Sequence, residues 1–276
     1  GAALLRAVGD SRRPMYFLTV SGIVNVLLNM LFVIVLHMGV AGVAWATAIS
    51  QYLAMFLMIL SFSRSPGVLR FRYKLLRIDG TKLKAIIRIG LPAGFQSTLF
   101  SISNVLIQSA VNSFGSVMVA GSAAASNVEG FVSTATNAYY NAAITFAGQS
   151  MGAKEYERID EIAKVCVVLV FVTWVFLGGL TVIFGQPLLG FYTSNPEVVE
   201  LGMLRLKVMM AVHFTAGIMS VFPGLSRAMG YSVLPMLSTL VGACLMRIVW
   251  LVTVFKWYPT VMVLFAAYPV TWTLAG

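Results

Sequence analysis

The sequence predicts an all-α membrane protein, a polytopic bundle of about eight transmembrane helices in this chain. Three observations lead there. Apolar residues make up 59% of the 276 and charged residues only 10%. So few charges cannot cover a surface in water, so lipid must be the solvent for most of the chain. Positions 14–63 contain no Asp, Glu, Lys or Arg, and at about 1.5 Å per residue such a run exceeds one crossing of a roughly 30 Å hydrocarbon core. Period-two alternation, which would mark a membrane β-barrel, is missing over any useful length.

The elements follow from where charges and turn residues interrupt the apolar runs. His37-Met38-Gly39-Val40-Ala41-Gly42 divides the first run into spans near 15–36 and 42–62. The next run holds two more, near 89–113 and 120–147, and later spans fall near 165–185, 205–224, 234–255 and 258–276. Pro223 and Pro269 interrupt late helices, where a proline removes a backbone hydrogen bond and can bend the axis. Trp257 and Tyr258 suit a membrane interface.

Charge distribution sets the orientation. Fifteen of the 19 Lys and Arg residues fall in alternate connections on one side; Arg205, Lys207 and Lys256 fall on the other, and Arg247 lies within a span. The basic side is therefore expected in the cytoplasm, with Arg205 and Lys207 snorkelling from a helix end. The net charge of +10 reads as a topology signal and not as a nucleic-acid patch. In 64–88, Leu75, Leu76, Ile78, Leu83, Ile86 and Ile87 alternate with basic residues at roughly helical spacing. That is either an amphipathic helix on the cytoplasmic leaflet or a solvated basic loop. Cys166 and Cys244 lie in apolar runs without metal-site spacing and read as small core residues.

An internal repeat organises the chain. Arg6-Ala7-Val8-Gly9-Asp10-Ser11-Arg12-Arg13-Pro14-Met15 returns as Arg227-Ala228-Met229-Gly230-Tyr231-Ser232-Val233-Leu234-Pro235-Met236, with Arg, Ala, Gly, Ser, Pro and Met in register. In each copy Gly is placed to end one helix and Pro to sit in the first turn of the next. By the span count six helices separate the copies, so both face the same side and the repeat is a parallel one of six-helix units. Residues 1–63 are then the last two helices of an N-terminal lobe, 64–88 a basic cytoplasmic linker, and 89–276 the C-terminal six-helix lobe. Four further spans are expected before Gly1, which is not Met, so the chain reads as an N-terminally truncated fragment.

At these residues the chain resembles the multidrug and toxic compound extrusion (MATE) family. The two corners, with Arg6, Gly9 and Pro14 in one and Arg227, Gly230 and Pro235 in the other, resemble that family's turns after its fourth and tenth helices. Ile89-Gly90-Leu91-Pro92-Ala93 resembles the opening of its seventh helix, and Gly39 to Thr47 that of its sixth. Phe146-Ala147-Gly148-Gln149-Ser150-Met151-Gly152-Ala153 is similar to the turn after its eighth. The resemblance implies a twelve-helix, two-lobed antiporter with alternating access. Such a protein expels organic, often cationic, drugs and toxins across the plasma membrane in exchange for H+ or Na+. The acidic residues of the sodium-coupled branch would fall at Phe100 and Ala216, neither of which binds a cation through a side-chain oxygen.

The residues themselves mark a candidate pathway. Ser97, Ser101, Asn104, Gln108 and Asn112 share one helical face, and Ser122, Ser126, Glu129, Ser133, Asn137 and Asn141 share another on the next span. Two such stripes read as the wall of a wet cavity or as polar contacts between helices. Glu129 is the only acidic residue well inside a span. It could exchange a proton or serve as a structural carboxyl, and Arg247, at mid-span, is its expected partner. His213 is either a proton switch or a structural histidine, His37 a turn residue, and Asn25 with Asn29 add polarity on the first span.

No nucleotide-binding or catalytic motif is present. The sequence therefore predicts no enzyme, no cofactor beyond a coupling ion, no metal and no ATP. Small organic substrates and the lipid bilayer are the expected partners of a multi-pass, monomeric transporter. A lipid-linked oligosaccharide flippase of the same superfamily is the alternative; it would need a strongly cationic cavity.

Overall fold

The computed structural model describes residues 1–65, 70 and 77–276, which divide into two compact units, Gly1–Asp79 and Gly80–Gly276. Among the described residues every regular element is a helix. In the first unit a short α1 (Ala2–Ala7) precedes α2 (Arg12–Val35) and α3 (Gly39–Arg64). The last two pack as an antiparallel pair joined through His37 and Gly39, both at positive φ (50° and 56°). Ser21 donates to the Ser50 carbonyl at 2.5 Å, Asn25 to the Ser50 hydroxyl at 3.1 Å and Asn29 to Asn25 at 3.0 Å. The asparagine polarity of the first span thus ties two helices together, which removes donors that lipid cannot satisfy.

The second unit contains α4 (Gly80–Asn112), α5 (Ser116–Ala153), α6 (Glu157–Ile183), α7 (Gly185–Gly190), α8 (Pro196–Ala211), α9 (His213–Ala228), α10 (Val233–Trp257) and α11 (Val261–Ala275). Every predicted span has a helix in its place. Among the described residues five helices are long and apolar enough to cross a membrane, six if α8 and α9 together form one span. Large apolar side chains such as Phe131, Val168 and Phe176 face outward from the helices, as lipid requires. The amphipathic linker helix expected in 64–88 falls partly on 66–69 and 71–76, outside the described residues; Leu83, Ile86 and Ile87 belong to the first turns of α4 and are exposed.

Two departures from the expected spans have local causes. Asn195 caps α8, its side-chain oxygen accepting from the Glu197 amide at 3.0 Å, with Pro196 in the first turn. The helix therefore begins nine residues earlier than expected. The same span is not continuous: α8 and α9 meet at a 51° bend at Val212. The break frees backbone carbonyls, and two of them are met by side chains. The Trp174 indole reaches the Met210 carbonyl at 2.6 Å, and the Thr215 hydroxyl reaches that of Val212 at 2.8 Å. Helices run on through Pro92, Pro223 and Pro269, so the sharp break is not where proline is.

The repeated corners share one backbone solution. Gly9 and Gly230 adopt φ of 89° and 90°. Their amides bond to the carbonyls of Arg6 (2.9 Å) and Arg227 (3.0 Å), while those of Asp10 and Tyr231 reach back to Leu5 (2.9 Å) and Ser226 (2.8 Å). This is the Schellman arrangement, which satisfies the last carbonyls of a helix through a left-handed residue. The end of α5 repeats it with Lys154 at φ 62°. Gly148, Gln149 and Gly152 therefore lie in the last turns of the helix, one step before the turn.

Candidate functional site

The site is built on the crossing of α5 and α8. A methyl group on Gly121 would lie 2.7 Å from the Val198 carbonyl oxygen, and one on Gly202 would lie 3.1 Å from the carbonyl oxygen of Gly121. Only glycine allows the two backbones this approach. One turn beyond Gly202, Arg205 is thereby brought against α5, where it donates to the Ser122 hydroxyl and, at 3.3 Å, to the Glu129 carboxylate. Its guanidinium also lies 5.3 Å from the centre of the Phe265 ring. Both members of the ion pair are largely buried.

This pair lines a cavity of about 640 Å³. Of the polar residues singled out in the sequence, it brings together Asn104 and Gln108 from α4, Ser126, Glu129, Ser133 and Asn137 from α5, and His213 from the start of α9. Phe100, Arg205, Ala216, Tyr268 and Trp272 complete much of the wall. Ser101, Asn112, Asn141 and Arg247 are not part of it. Ser101 donates to the Ser97 carbonyl on its own helix (3.0 Å), Asn112 accepts from Gln108 (3.1 Å), and Asn141 donates to the Asn137 carbonyl (2.9 Å). His213 is buried, its ring edge-on to Trp272 at 5.5 Å.

The expected pairing of Glu129 with Arg247 is not what the structure holds. Arg247 is fully buried behind the wall. It donates to Asn104 at 2.6 Å and to Thr271 at 3.3 Å, and it is flanked by the rings of Phe100 (4.8 Å) and Tyr268 (4.4 Å). Glu129 is taken by Arg205, which lies in the third turn of α8 and so inside the bundle. The expectation that Arg205 snorkels from a helix end fails with the earlier start of α8. The cap signature Asn195-Pro196-Glu197 is the sequence signal for that earlier start.

The corner residue Arg227 is also more than an interfacial charge. It donates to the Tyr140 hydroxyl at 2.8 Å and to the Gln96 side-chain oxygen, and Gln96 in turn donates to Thr239 at 2.6 Å. Among the described residues no cluster of three or more His, Cys, Asp or Glu offers a metal site.

Residues 92–253 match the family model described as MatE. The probable multidrug resistance protein YpnP of Bacillus subtilis is 28% identical over 230 residues, which cover 83% of this chain and 51% of that protein. The probable multidrug resistance protein NorM of Thermotoga maritima is 26% identical over 246 residues, covering 87% of this chain and 53% of that one. The crystal structure of the Vibrio cholerae MATE transporter VcmN in its bent form superposes with a TM-score of 0.82 at 23% identity, over 98% of this chain and 61% of the other. At that identity the likeness is one of fold. The chain spans about half the length of the curated relatives it matches.

Proposed function

The chain belongs to the MatE family, whose members are membrane transporters and not enzymes, and from that premise we propose that it forms part of a secondary antiporter. The protein exports organic drugs or toxins across the plasma membrane in exchange for H+ or Na+, by alternating access, with its basic connections in the cytoplasm. The observation that carries this reading is the polar cavity of the second unit with the Glu129–Arg205 pair in its wall. A carboxylate in such a site is costly to keep charged unless paired. It can therefore exchange its guanidinium partner for a proton or cation as access alternates, and the states are biased by whichever ligand is available. The 1–63, 64–88 and 89–276 division serves as the end of one lobe, a basic linker and the second lobe.

The flippase alternative finds little support: the relatives bear multidrug resistance names, and one of the two guanidinium groups near the cavity is already neutralised by Glu129. The test is efflux from proteoliposomes holding the complete protein. Imposed proton and sodium gradients are applied separately, with ethidium and a fluoroquinolone as substrates. Export of at least one of the two driven by one gradient and abolished by Glu129→Gln is the expected result. Gradient-independent movement, or none with either ion, overturns the antiporter reading.

A further inference from the structure

We propose that the cavity of the second unit takes its organic ligand by an anionic group, a carboxylate or sulfonate, rather than by a cationic one. The inference rests on the reading of that cavity as the substrate path and names the substrate class it fits.

The charges around the cavity do not balance. Two guanidinium groups, Arg205 in the wall and Arg247 directly behind it, stand against one carboxylate, Glu129. The remaining acidic residues of the second unit lie at 155–161 and 197–200, around the starts of α6 and α8. Arg247 is held only by neutral groups, and three of them, Phe100, Asn104 and Tyr268, are themselves cavity wall.

Hydrogen bonding is incomplete at the same place. Arg205 Nε, Arg247 Nη2 and His213 Nδ1 are buried without a hydrogen-bond partner among the described residues. An uncompensated buried cation is costly to hold, and an arriving oxyanion relieves that cost through charge-assisted hydrogen bonds. Asn104 is the means of access: it both lines the cavity and occupies one Arg247 nitrogen. Rotation of that one side chain opens the guanidinium to a ligand. Met219, Tyr268 and Trp272 supply the apolar remainder of the wall, so the ligand is an amphipathic anion.

The test is a charge series on one fluorophore. Dansylglycine (anionic), dansylglycinamide (neutral) and dansylcadaverine (cationic) are titrated into the complete protein in neutral detergent and read by energy transfer from tryptophan. Trp272→Phe identifies the signal that comes from the cavity. Dansylglycine should bind at least about tenfold more tightly than the amide, with the cation weakest. Asn104→Asp, nearly isosteric, places a carboxylate against Arg247 and should reduce the anion preference to within about twofold; Arg247→Gln should do the same where it folds. An amide or cation that binds as well as dansylglycine, or a preference that survives Asn104→Asp, overturns the anion assignment while the cavity stands as a binding site. No Trp272-dependent signal from any of the three overturns both.

Discussion

Glu129 on α5 and Arg205 on α8 meet at 3.3 Å in a largely buried position, and the same guanidinium also holds the Ser122 hydroxyl two turns away on α5. One arginine thus clamps a helix at two heights. Its stabilising value depends on both charges being present, because a buried pair gains little over apolar packing whereas an orphaned charge is expensive.

Breaking the pair from either side should therefore destabilise the protein more than removing it whole. Glu129→Gln or Arg205→Met is expected to cost about 3–5 kcal/mol. The double variant should recover most of that loss. Thermal unfolding in detergent across the four proteins of the cycle measures the coupling; additive losses would show that the two groups do not interact.

The Gly121–Gly202 crossing allows no added atom. Gly121→Ala puts a methyl group 2.7 Å from a backbone oxygen, and the helices must separate. A loss of about 1–3 kcal/mol is expected, together with weaker Arg205–Glu129 coupling in the same double-mutant cycle. Gly130→Ala, where nothing lies within 4 Å, is the control and should be neutral or slightly stabilising.

Left-handed positions give predictions of opposite sign. Gly230→Ala strains a residue at φ 90° and should cost about 1–2 kcal/mol. Lys154→Gly relieves the same strain at φ 62° and should raise the melting temperature. Equal effects of the two substitutions would contradict the shared Schellman geometry.

Trp174 is expected to hold the α8–α9 bend. Trp174→Phe keeps most of the apolar volume but removes the donor to the Met210 carbonyl, at a cost of about 1–3 kcal/mol for a buried acceptor left unmet. Hydrogen exchange should quicken at the amides of 212–216. Unchanged protection there would mean that the bend is maintained by other contacts.

What could be read in the sequence was what depends on neighbours along the chain. The corner around Gly230 is local, since Gly and Pro act within a few residues of themselves, and its backbone closed as the pattern required. The polar faces of α4 and α5 follow from helical periodicity, and Asn104 and Asn137 on those faces line the cavity. Arg205 was misplaced because hydropathy alone set the start of its span, whereas the Asn195 cap lies in a polar stretch that hydropathy discards. The bend at Val212 carries no Gly or Pro. It is stabilised by Trp174 from another helix, and spacing along one segment cannot reveal a donor that arrives from elsewhere. The partner of Arg247 was unreadable for the same reason: its shell of Phe100, Asn104, Tyr268 and Thr271 is assembled from two other helices, α4 and α11.

The glycine contact between α5 and α8 has a mechanical consequence. Where two backbones touch without side chains between them, no rotamer can absorb sliding, so these helices travel as a single plank over that segment. The carboxylate and guanidinium riding on it keep their spacing whichever way the plank tips. Any loss of that contact has to arise at the side chains themselves, and not from the two supports drifting apart.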